Sequence, residues 1–141
     1  MELKDMIKRL CDIRQELVLL EREAEALSLP IISDLERVET VYDYCQEAHG
    51  VLFPNVPLDK PISRRRILFV ILFLFSPKTL AGTKMSRGLR AEIAKIMGVE
   101  SSNVSHYHSN ILFFYNVYED FRGDVNRLFA IVYDKLKQEN K

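Results

Sequence analysis

The chain has 141 residues, 48% of them hydrophobic, with 20 Lys and Arg against 20 Asp and Glu. That length suits one compact domain plus an appendage and is short for two enzyme-sized domains, while the composition excludes wholesale disorder and collagen-like or linker-like classes. The neutral total conceals an acidic leading part, with six basic and thirteen acidic residues over 1–59, and a basic middle, with nine basic and two acidic residues over 60–110.

Acidic residues from Glu2 onward, with no apolar run behind them, are not what a signal peptide requires. Leu3, Met6, Leu10, Ile13, Leu17, Leu20, Ala24 and Leu27 instead recur at alternating spacings of three and four. That is four heptads with apolar a and d positions, flanked at e and g mostly by charge: Arg9, Arg14, Glu16, Glu21 and Glu23. The pattern predicts a coiled-coil-like helix over 1–29, closed by Pro30. Leu3, Met6, Leu10, Ile13, Leu17, Leu20 and Leu27 are the expected contacts of a homo-oligomer, a dimer favoured. The alternative is a helix folded back on its own domain, aided by the wider apolar patch at 17–20. Cys11 lies in this segment and Cys45 in the next, in no C-x-x-C pair, which excludes a disulfide scaffold and suits a reducing, cytoplasmic setting.

Ser33 with Glu36 reads as a capping box opening a helix that buries Leu35, Val38, Val41, Tyr42 and Cys45 and ends by Gly50. The three prolines within 51–61 predict an irregular connection. A further helix is expected from near Ser63. It runs through Arg64, Arg65 and Arg66 into ILFVILFLF and stops before Pro77. Nine apolar residues from Ile67 to Phe75 fall well short of the roughly 20 a membrane span needs, so this is the expected central buried helix. Three arginines oppose the macrodipole at its start, and a phosphate backbone would account for them. Residues 76–87 read as a basic, flexible loop.

The stretch LRAEIAKIMGVESSNVSHYHSN, from Leu89 to Asn110, carries most of the functional information. With Gly98 as the turn, Ile93, Met97, Val99, Val104 and Tyr107 fall where two short helices must pack together. Ala94 falls where they cross closely. Those are the constraints of a helix-turn-helix. Ser101, Ser102, Asn103, Ser105, His106 and Ser109 then face outward, with Asn110 at the edge. Such short hydrogen-bonding side chains suit base edges in a major groove. Arg64, Arg65, Arg66, Lys84, Arg87, Arg90 and Lys95 are the expected phosphate contacts. Beyond the motif, Ile111, Leu112, Phe114, Tyr115 and Tyr118 should form a core-facing tail. Gly123-Asp124 reads as a turn and N-cap before a last amphipathic helix built on Val125, Leu128, Phe129, Ile131, Val132 and Leu136.

From about Val38 to Leu136 this order of features resembles the carboxy-terminal DNA-binding domain of DnaA-type replication initiators. The corresponding pieces are VETVYDYCQ, then ISRRRILFVILFLF, then the two-helix motif. The family's recognition helix opens with Asp-His-Thr-Thr-Val and then Leu-His; here the run is Glu100-Ser101-Ser102-Asn103-Val104, then Ser105-His106. Val104 and His106 match, and Glu100 and Ser102 are conservative replacements. The resemblance implies base reading by Ser101, Ser102 and Asn103 and a phosphate contact at Arg66. The initiators' nucleotide-hydrolysing module has no counterpart, since no G-x-x-x-x-G-K-[ST] loop occurs, so a stand-alone reader is implied rather than an initiator.

Other chemistry finds little footing. His106 and His108 are two apart and diverge on a helix, and no G-x-S-x-G is present. No metal, cofactor, catalytic residue or small-molecule substrate is expected, so the chain is not expected to be an enzyme. The expectation is an all-α protein: a coiled-coil-like helix at 1–29, then a helix-turn-helix domain at 33–141. It would bind double-stranded DNA in a regulatory or accessory role in transcription or replication, oligomerise through its first helix, and have no membrane partner. The alternative is a protein–protein interaction or phage assembly component that retains the motif as scaffold.

Overall fold

The structure, a computed structural model, describes residues 2–139. Those residues form seven α-helices and one 3-10 turn. The helices are α1 (Leu3–Leu27), α2 (Val38–Leu52), α3 (Pro61–Phe75), α4 (Pro77–Leu80), α5 (Arg87–Met97), α6 (Ser101–Val117) and α7 (Glu119–Gln138); the 3-10 turn, Leu35–Arg37, precedes α2. None of the described helices is long and apolar enough to cross a membrane.

The centre is α3. Pro61 starts it, where a missing amide hydrogen costs nothing, and the Ser63 hydroxyl donates to the Pro57 carbonyl at 2.8 Å. From Arg66 to Phe75 every side chain except Phe73 is buried. A helix apolar on all faces must be covered on all faces, and α2, α4, α6 and α7 pack around it. Each fully buried Leu, Ile or Phe contributes on the order of 1.5–3 kcal/mol. The helix stops at Ser76, which has left the helical region (φ −158°, ψ 72°), as a following proline disfavours helical geometry at the residue before it. Cys45, fully buried on α2, has its thiol pKa pushed up by desolvation.

The amino-terminal heptads form a helix of 25 residues, as expected, yet α1 buries none of its side chains. Leu3 and Leu27 are 72% and 73% exposed. The fold-back alternative is therefore not the arrangement observed. Just beyond α1, the amides of Ile31 and Ile32 both donate to the Leu74 carbonyl at 3.0 Å. Those bonds satisfy a carbonyl left open at the end of α3 and tie the connecting segment to the core.

Several boundaries differ from expectation. The cap before α2 is Asp34, whose Oδ1 accepts the Glu36 amide at 3.0 Å, rather than Ser33. α2 continues two residues past Gly50, because Gly50 faces open space and lies in unstrained helical geometry. The segment 76–87 is not a free loop: α4 occupies its start, and Thr79, Leu80 and Met85 are buried. Most informative is Gly123-Asp124, which makes no turn. α7 runs through it from Glu119, and Phe121, Val125 and Leu128 bury one continuous face. Packing of that face overrides the local turn preference of Gly-Asp.

Replacing Ile71 with Ala, at the fully buried middle of α3, should lower the unfolding free energy by about 2–5 kcal/mol in chemical denaturation.

Candidate nucleic-acid interface

α5 begins at Ser86, whose Oγ accepts the Leu89 amide at 3.3 Å, and ends at Gly98. Gly98 has φ +70° and ψ +36°, the left-handed conformation that closes helices. The Val99 amide reaches back to the Ala94 carbonyl at 3.0 Å and completes the closure. Glu100 is extended, and α6 starts at Ser101. A three-residue turn thus joins the two helices.

The inward set is buried as the spacing requires. Ile93, Ala94 and Met97 from α5 lie in the core with Val104, Tyr107 and Ile111 from α6, and Val99 packs on the edge. Ala94 is nine-tenths or more buried, at the position where a larger side chain would hold the helices apart. The outward set is free: Ser101, Ser102, Asn103, His106 and Ser109 are exposed and Ser105 is half-buried. The Ser109 hydroxyl donates to the His106 carbonyl at 2.6 Å, so that proton is used within the helix. His108 points elsewhere, with its Nε2–H donating to the Thr79 carbonyl at 2.9 Å.

Basic side chains border this helix. Arg90 Nη1 donates to Ser105 Oγ at 3.5 Å, Arg64 Nη1 to the Tyr107 hydroxyl at 3.4 Å, and Arg65 Nε to Asn110 Oδ1 at 3.0 Å. Arg65 also covers the rings of Tyr107 and Phe114, at 5.2 and 4.7 Å from their centroids. Lys84, Arg87 and Lys95 are exposed. Of the nine cations between 60 and 110, Arg66 alone forms an ion pair among the described residues. The acids are distributed to match. α3, α5 and α6 carry no acid in their first turn, whereas α1, α2 and α7 do. The positive ends of α3 and α5 are therefore not offset by their own side chains, whereas the Glu100 carboxylate stands at the N-cap of α6.

Arg66 corrects one expectation. It is only 9% exposed, and its Nη2 meets Asp124 Oδ2 at 3.2 Å. Its guanidinium lies 4.1 Å from the Phe53 ring centroid, with Nη1 3.4 Å from His49 Nε2. It is thus a structural cation joining α2, α3 and α7 and is not free to meet phosphate. His49 itself is fully buried, and desolvation, reinforced by Arg66, lowers its pKa. Sequence reasoning missed this cluster because its members lie 17 and 58 residues apart. The available signal was Asp124, which falls on the apolar Phe121, Val125, Leu128 face.

The aromatic tail of α6 also departs from expectation. Ile111 is buried and Phe114 and Tyr115 are half-buried, but Leu112, Phe113 and Tyr118 are exposed. Phe113, Phe114 and Tyr118 contact one another edge-on or tilted, so the tail is a surface cluster with one side on the core. Glu119 and Asp120 occupy the first turn of α7, where they favour its dipole. No three His, Cys, Asp or Glu side chains among the described residues converge on a metal-sized site.

Compared with family models, curated proteins and solved structures, the chain matches none.

Asp124→Ala should cost about 3–5 kcal/mol of stability, because it strands the Arg66 charge, whereas Arg66→Met should cost less. The lowered His49 pKa gives a sign as well. Above about pH 6.5 the imidazole is neutral in both states and stability is full; as pH falls the unfolded chain takes up the proton first, so stability drops. His49→Gln should flatten that part of a stability-against-pH curve.

Proposed function

We propose that the chain binds double-stranded DNA as a helix-turn-helix protein, with α5 as the supporting helix and α6 as the recognition helix. The observation that carries this reading is the first two turns of α6. They present an exposed Ser, Asn and His surface bordered by arginines that, among the described residues, pair with no carboxylate. Such side chains reach base edges without the cost of ordering long chains, and unneutralised cations along one helix attract a phosphate backbone. The exposed or half-buried cations Arg64, Arg65, Lys84, Arg87, Arg90 and Lys95 supply that attraction, and Ser101, Ser102, Asn103, Ser105 and His106 supply the base contacts. The resemblance to the DNA-binding domain of DnaA-type initiators supports the same assignment. The role is regulatory or accessory, in transcription or replication, within the cytoplasm, and the protein oligomerises through α1.

The exposed apolar surface of α1, together with Phe113 and Tyr118, favours one second reading: an assembly component whose partners are proteins.

Fluorescence anisotropy with random-sequence duplex separates the two. DNA binding predicts association at low salt that weakens steeply between about 50 and 200 mM. Lys95→Ala and Arg87→Ala should each weaken binding to all sequences and reduce the salt slope by about one. Asn103→Ala should cost roughly 1–3 kcal/mol on a selected site and relax sequence choice there. No association at low salt overturns the DNA reading and leaves assembly.

A further inference from the structure

The surface of α1 carries information about how it is covered, which deepens the oligomerisation reading above and rests on it. Its apolar seam buries no side chain and is exposed at every position except the half-buried Ile13. Its charge is polarised. Residues 4–14 hold four basic and two acidic side chains, and residues 16–25 hold four acidic and one basic. A parallel partner would set positive half on positive half and negative on negative. An antiparallel partner sets each half on its opposite, with the two helix dipoles opposed as well. We propose that α1 binds a second copy of itself as an antiparallel two-helix coiled coil with its two-fold axis near Gln15.

The flanking positions agree in detail. In a parallel pair each g residue reaches the e residue five positions on in the partner, so Arg9 would meet the partner's Arg14 and Glu16 the partner's Glu21. Both contacts repel. In the antiparallel pair g faces g and e faces e. Arg9 then lies between the partner's Glu16 and the partner's Glu23, and Arg14 lies beside the partner's Glu21. Two like-charge approaches remain at the dyad, where Glu16 and Arg14 each come near their own copies. Glu16 already accepts a hydrogen bond from Arg9 of its own helix at 3.5 Å, which offsets the first.

The seam supplies an independent argument from volume. Antiparallel pairing about Gln15 stacks every a position on a d position: Leu3 on the partner's Leu27, Leu10 on the partner's Leu20, Ile13 on the partner's Leu17. The small Ala24 then faces the long, adaptable Met6 of the partner. Parallel pairing would put Ala24 against its own copy and leave a gap at one layer. No polar residue at an a position pins a parallel register. At 25 residues the helix is about 37 Å long. The two points where α1 leads into its domain are therefore held at opposite ends of the rod, roughly one turn of B-DNA apart.

Crosslinking tests the direction. Met6→Cys and Ala24→Cys are made separately in a Cys11→Ser chain; these positions are exposed, so the folded domain is untouched, and Cys45 is buried. Under mild oxidation neither variant alone should form a disulfide-linked dimer, and an equimolar mixture should form one between residues 6 and 24. Self-crosslinking of Met6→Cys would overturn the antiparallel assignment while leaving oligomerisation intact. Arg14→Glu gives a second readout by sedimentation equilibrium. It places acid beside Glu21 in the antiparallel pair and should weaken the dimer about fivefold, whereas it would tighten a parallel one. A wholly monomeric chain at high micromolar concentration would overturn both this proposal and the oligomeric part of the function, without touching the DNA-binding measurement.

Discussion

Burying α3 is the constraint from which the arrangement follows. A helix that is apolar around its circumference is stable only when surrounded, so α2, α6 and α7 must converge on it. The three arginines at its start are drawn into the same problem. Consecutive helical residues point about 100° apart, so Arg64, Arg65 and Arg66 cannot all face the same neighbour. Arg64 reaches Tyr107, Arg65 lies on Phe114 and Asn110, and Arg66 turns inward to Asp124. Two of the three therefore end beside α6 with their charge unneutralised. The third becomes part of the core.

Local constraints were legible in the amino-acid pattern and distant ones were not. Gly98 could be placed because a left-handed closure demands a residue without a side-chain clash, and the buried positions on either side follow from helical periodicity. α3 announced itself through a run too apolar for any surface. By contrast, the fate of Arg66 depends on a carboxylate 58 residues away, and no spacing rule connects them. Asp124 was misread for a related reason. Gly-Asp favours a turn locally by a small margin, and several buried side chains along α7 outweigh it.

The candidate surface mixes both kinds of evidence. Its polar residues were identifiable because they alternate with buried ones in the 3.6-residue rhythm of α6. Its electrostatics emerge only in three dimensions, from which helix starts lack an acid and which arginines find a carboxylate. The lower half of α6 changes character, from Ser and Asn to exposed Leu112, Phe113 and Val117. One helix thus serves two environments, and its amphipathic stripe is correspondingly poor evidence of which residues are inside.

The paired hydrogen bonds from Ile31 and Ile32 to Leu74 have a mechanical corollary. They fasten the strap leaving α1 to the far end of the innermost helix, away from the stem of arginines that begins it. A tug on the rod is delivered to the most deeply buried helix of the molecule. Orientation of the rod should thus be transmitted to the domain as rigid-body leverage, with little slack to absorb it.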